Sequence, residues 1–80
     1  MNETTSQRTG RSRVVIVDDH AMFRAGVKHE IGPFVSVVGE GSDVATAVAA
    51  ITASKPDVVL LDVHLPGGGG AEVIKQVHLG

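Results

Sequence analysis

Three aspartates carry the chemistry that this sequence could perform. Asp18 and Asp19 end the apolar run "RVVIV" (Arg13 to Val17), and Asp62 falls at the close of a later one, "DVVLLDV" (Asp57 to Val63). Carboxylates gathered at one point repel, and a bare cluster raises at least one of its pKa values. A divalent cation removes that penalty and keeps all of them ionised. Mg²⁺ suits such a site because it prefers hard oxygens at about 2.1 Å, keeps several waters, and is usually held by one or two carboxylates plus a phosphate. An ionised aspartate beside the metal is also a competent oxygen nucleophile toward phosphorus. This chemistry needs a framework that brings positions 18, 19 and 62 together.

That framework is legible in the periodicity. Four consecutive β-branched residues, Val14 to Val17, read as a strand buried on both faces. Phe23, Val27 and Ile31 then recur at i, i+4, i+8, which predicts a helix over Ala21 to Ile31. "FVSVVGE" (Phe34 to Glu40) reads as a second strand. Val44, Ala47, Val48 and Ile51 mark a second helix, with Ser42 as its N-cap and Lys55 and Pro56 as its stop. Asp57 to Val63 is a third strand, apolar on both faces like one covered by helices. "LPGGGG" (Leu65 to Gly70) is a loop, and "AEVIKQVH" opens a third helix whose Val73 and Val77 share a face. The alternation βαβαβα implies parallel strands joined by right-handed crossovers. All three acids then lie at the carboxyl ends of strands, where ligands bind open α/β sheets.

Composition narrows the function classes. The chain has 80 residues, no cysteine and a net charge of −2, so a disulfide framework, a thiolate metal site and a basic nucleic-acid face are all excluded. No apolar run approaches the roughly 20 residues of a membrane span, and the N-terminus lacks a secretory signal. The expectation is a soluble cytoplasmic chain. Residues 1–12, "MNETTSQRTGRS", read as a disordered tail. The remainder would bury only roughly 60% of its unfolded surface, so its stability is expected to be marginal.

Plainer readings apply to several residues. His20 and His64 flank the acids without the i, i+4 spacing of a helical zinc site and are expected to be solvent-facing loop residues. The glycine run lacks the Lys-Ser/Thr of a P-loop and reads as a turn. Phe23 and Phe34 are the only aromatics and read as core.

"VVIVDDHAMFRAGV" together with "PDVVLLDVHLPGGGGAEVI" resembles the receiver domain of bacterial two-component response regulators, and the DDHxxxRxG form resembles its LuxR/NarL-type subfamily. The resemblance runs from Val14 to the C-terminus. It implies a partial flavodoxin-like three-layer sandwich with parallel strands in the order 2-1-3, which sets the first and third strands side by side. It further implies that Asp62 accepts a phosphoryl group from a sensor histidine kinase. Asp19 and Asp62 would be direct Mg²⁺ ligands, the backbone carbonyl of His64 a third, and Asp18 would act largely through bound water. The module would be a signalling part and not an enzyme, coupled to DNA only through a helix-turn-helix domain outside these residues.

The sequence also departs from that pattern. The family's fourth and fifth strands, with a phosphoryl-sensing Ser or Thr and a pairing Lys, have no counterpart here. "LPGGGG" stands where MPGMDG is more usual. Lys28, Lys55 and Lys75 fall in or at the ends of helices, away from the acids. A switching receiver and a module that only mediates protein interaction or dimerisation therefore both remain open. A third strand left at the edge of the sheet would be apolar, without Pro or Lys, and prone to recruit another chain. With Phe23, Val27 and Ile31 partly uncovered, about 5 kcal/mol of burial would be forfeited. The expectation is a homodimer or an element-swapped oligomer.

Overall fold

Strand and helix alternate through the described residues: β1 (Arg13–Val17), α1 (Ala21–Ile31), β2 (Ser36–Gly41), α2 (Val44–Ser54), β3 (Val58–Leu61) and α3 (Gly69–Leu79). This computed structural model describes residues 10–79, so most of the expected N-terminal tail, residues 1–9, lies outside the described residues. Arg11 Nη1 donates to the Gly32 carbonyl at 3.3 Å, and the Ser12 carbonyl accepts from the Ser36 amide at 2.8 Å.

The three strands are parallel in the order β2-β1-β3. Central β1 is buried from Val14 to Val17, as its β-branched run requires. Val14 pairs with Val58 and Val17 with Leu61, so β1 and β3 run in register and end level. On the other side a register shift between Val14 and Val15 advances β2 by one residue, so that Ile16 faces Glu40 and Val17 faces Gly41.

One face of the sheet carries the core. Val15 and Val17 pack with Val44, Ala47 and Ile51 of α2, Leu65 of the loop and Val73 of α3, with Val48 and Val77 half-buried around them. Gly41 allows α2 to approach the sheet: a Cβ there would stand 2.6 Å from Ala47 Cα. The turn before α3 uses backbone conformations that favour glycine, with φ of 96°, 126° and 78° at Gly67, Gly68 and Gly69.

Several sequence expectations are corrected. Asp43, not Ser42, caps α2. Its backbone is extended, its carboxylate accepts the Thr46 amide at 2.8 Å, and Thr46 Oγ1 accepts the Asp43 amide in return. The second strand starts at Ser36, not Phe34, because the amides of Phe34 and Val35 both close the end of α1 on the Ile31 carbonyl. The third helix starts at Gly69, two residues before Ala71, inside the glycine run. Neither phenylalanine is core: Phe34 lies in the turn after α1 at 76% exposure, and Phe23 is 59% exposed because nothing among the described residues covers that face of α1. β3 is apolar on both faces, as expected, but it is not covered on both. Val59 and Leu61 pack on the core, while Val58 and Leu60 face outward at the sheet edge.

The close approach at Gly41 yields a paired test. Gly41→Ala is expected to lower stability by about 1–3 kcal/mol through forced overpacking. Gly26→Ala, in mid-helix with nothing within 4 Å of an added Cβ, is expected to raise it by about 0.5–1 kcal/mol. Urea denaturation checks both; the same sign for the two changes contradicts the packing described.

Candidate functional site

The hydrogen-bond ladders carry the acids one step beyond the strands. The Asp18 amide donates to the Gly41 carbonyl of β2 at 3.0 Å, and the Asp62 amide donates to the Val17 carbonyl of β1 at 2.9 Å. These bonds prolong the sheet into the first residue of each loop, so Asp18 and Asp62 leave neighbouring strands level and on the same edge. One potential ligand atom from each of Asp18, Asp19, His20 and Asp62 falls in a group whose members all lie within 4.8 Å of one another. The three expected acids therefore meet. His64 lies in the turn after β3, exposed, with its amide donating to Asp62 Oδ1 at 3.0 Å. Its side chain is not in the group.

His20 is more than the solvent-facing loop residue expected. The ring is exposed, yet its Nδ1 stands 3.0 Å from Asp18 Oδ1 and 2.9 Å from Asp19 Oδ1, and its amide also donates to Asp18 Oδ1 at 2.8 Å. The hydrogen bond from the His20 amide, joined by that from its ring and by the positive charge of Arg24, holds the Asp18 carboxyl below its ordinary range against the opposing effect of burial. Conversely, the bond to Asp18 and then the charge of Asp19 raise the His20 pKa. Arg24 and Glu40, to which sequence reasoning gave no role, stand behind the acids. Arg24, in the first turn of α1, donates from Nη1 to the Asp18 carbonyl at 2.6 Å and from Nε to Glu40 Oε1 at 3.0 Å. Lys28 Nζ reaches the other oxygen of Glu40 at 2.7 Å. The legible signal was Glu40, a charge at the carboxyl end of a largely apolar strand.

Hard carboxylate oxygens from two strand ends, partly shielded and open to solvent on one side, suit a small divalent cation. The carboxylate oxygens of Asp18, Asp19 and Asp62 are the ligands such an ion would take, and the His20 nitrogen is not one that it prefers. Below the acids a cleft of about 370 Å³ opens between Ile16, Phe23, Val27 and Leu60.

A family model described as response regulator receiver domain matches residues 14–79. The DNA-binding transcriptional activator DevR/DosR of Mycobacterium tuberculosis is 43% identical over 67 residues, covering 81% of this chain and 31% of that protein. The probable transcriptional regulatory protein NarL of the same organism is 48% identical over the same length, with the same coverage. The solved signal receiver domain of the putative response regulator NarL from M. tuberculosis matches with a TM-score of 0.79 and 44% identity, over 88% of this chain and 58% of that one. The chain belongs to the response regulator receiver domain family, with the 2-1-3 part of the flavodoxin-like receiver fold. It spans about a third of the length of the curated relatives it matches.

The raised His20 pKa generates a pH prediction. His20 is expected to titrate above the ordinary imidazole value, and Asp18→Asn to bring it down; an NMR pH titration reads both. Its contribution to stability is present in full below the ordinary imidazole pKa and fades as pH rises through the raised one. The Asp18 contribution has the opposite sense, present above the ordinary carboxyl value and lost as pH falls through the lowered one. A His20 that titrates at or below its ordinary value contradicts the geometry.

Proposed function

We propose that this chain is the phosphoryl-accepting part of a two-component response regulator, with Asp62 as the acceptor. What supports the reading most is the placement of Asp62 beside Asp18 and Asp19, at the carboxyl ends of adjacent strands. One oxygen of the Asp62 carboxylate attacks phosphorus in line. The bond from phosphorus to its donor breaks, the electron pair leaves with the donor, and an acyl phosphate remains on Asp62. With a phosphohistidine donor, the departing group is the imidazole of a sensor histidine kinase.

Asp18, Asp19, Asp62 and the His64 backbone carbonyl would hold Mg²⁺, which supplies charge neutralisation for the phosphoryl oxygens when bound. The chain's own residues do the rest. Asp19, exposed at the mouth, and Asp18, buried behind it, bring negative charge to one side of the reacting carboxylate, and the His64 amide orients that carboxylate through Oδ1. The whole protein would be a cytoplasmic transcription regulator, binding DNA through a separate helix-turn-helix domain and not through this one. The names of the two M. tuberculosis relatives, both transcriptional regulators, support that extension. Acetyl phosphate with Mg²⁺ is expected to give an acid-labile adduct that maps to Asp62 and disappears in Asp62→Asn; unchanged labelling of that variant overturns the assignment.

We further propose that the 80-residue chain self-associates. Edge strand β3 carries Val58 and Leu60 outward with no proline or lysine in it, and exposed Phe23 lies across the cleft from Leu60. Such an edge pairs readily with a second copy. Light scattering is expected to show a dimer or larger species that dissociates on dilution; a cooperatively melting monomer at low micromolar concentration contradicts it.

A further inference from the structure

Both backbone polar groups of Asp18 are held. Its N–H donates to the Gly41 carbonyl, and its carbonyl accepts Arg24 Nη1 at 2.6 Å. The guanidinium is itself anchored, because Nε donates to Glu40 Oε1 at 3.0 Å. Glu40 faces Ile16 across the β1–β2 ladder, two residues before Asp18. Arg24 and Glu40 are mostly shielded from water, with side chains 18% and 33% exposed, so their pairing is less screened than a surface ion pair. A planar guanidinium presents its donors at fixed angles, and placing Nε on one acceptor aims Nη1 at the other. A lysine offers its donors from a single nitrogen on a flexible stem, without the fixed angles of that fork.

We propose that Arg24 is a positioning residue for the acid cluster: braced by Glu40, it clamps the Asp18 carbonyl and so fixes the direction of the Asp18 carboxylate. The proposal rests on the cation-binding reading above. Arg24 touches neither the phosphoryl group nor the ion in this account; its hydrogen bond to Asp18 is to the backbone carbonyl. Lys28 pairs with the far oxygen of Glu40 and has no bond to Asp18, which makes it the natural control. Partners that orient a ligand without binding the ion typically contribute 10–100-fold to metal affinity.

The test uses the 80-residue chain, MgCl₂ alone as the probe, and NMR as the readout. Arg24→Gln is expected to weaken Mg²⁺ binding roughly tenfold, with Arg24→Lys intermediate. Glu40→Gln should act in the same direction, and the double variant Arg24→Gln/Glu40→Gln should be no weaker than Arg24→Gln alone. Lys28→Gln should leave affinity unchanged. A second readout needs no metal. The His20 amide donates to Asp18 Oδ1, so its hydrogen exchange should quicken in Arg24→Gln relative to the Val15 and Ile16 amides, and should not in Lys28→Gln. Exchange that quickens equally at all three amides assigns Arg24 a merely structural role and overturns the clamp. Unchanged His20 exchange together with unchanged affinity overturns it as well. Absence of Mg²⁺ binding to the unsubstituted chain counts against the proposed function, while the exchange comparison still decides the clamp. Should Arg24→Gln fail to fold, Arg24→Lys and Glu40→Gln carry both measurements.

Discussion

The parallel register of β1 with β3 is the constraint on which the acid cleft depends. Each strand contributes its acid at the first position past its last paired residue, and level ends bring the acids together. Neighbouring strands stand about 4.8 Å apart, so carboxylates leaving the same edge share one hydration space. A slip of one residue would turn Asp62 toward the opposite face of the sheet and expose Val59 and Leu61, which pack on the core. The burial of Val15 and Val17 against α2 and α3 therefore maintains the cleft as well as the fold.

The cleft has to offset its own repulsion. Like charges this close repel, and hydrogen bonds to a charged group offset part of that repulsion. Donors are supplied accordingly: the His20 amide and ring face Asp18, the same ring reaches Asp19, and the His64 amide serves Asp62. Arg24 adds a cation behind Asp18 without occupying the mouth of the cleft. The acids are thus held together while their outward side stays open.

The two faces of the sheet differ in how much they cover. Toward α2 and α3 the apolar residues interlock; toward α1 none of the helix residues is buried, and Phe23 and Leu60 border an open cleft. Relatives of known structure extend well beyond the part matched here, since this chain covers 58% of the solved NarL receiver. The uncovered face and the acid edge adjoin at Asp18 and Asp62, so an occupant of one borders the other.

Much of this was legible along the chain, because burial acts on periodic positions that can be counted. The run Val14 to Val17 announced a central strand, the spacing of Val44, Ala47 and Ile51 a buried helix face, and the acids after two apolar runs a shared site. Element ends were less legible. Whether Ser42 or Asp43 caps α2 turns on one extended backbone and its reach to Thr46, and Phe34 looks like strand until two amides bond to Ile31. Residue type read Phe23 as core, whereas the expectation that its helix face would be only partly covered is the one that agrees with its exposure. The order of elements, the core-facing positions and the three acids are written along the chain, since each follows from a residue's type and its near neighbours. How Arg24, braced by Glu40, meets His20 at Asp18 was not legible, since that meeting joins α1, β2 and the end of β1 through packing distances that no spacing along the chain encodes.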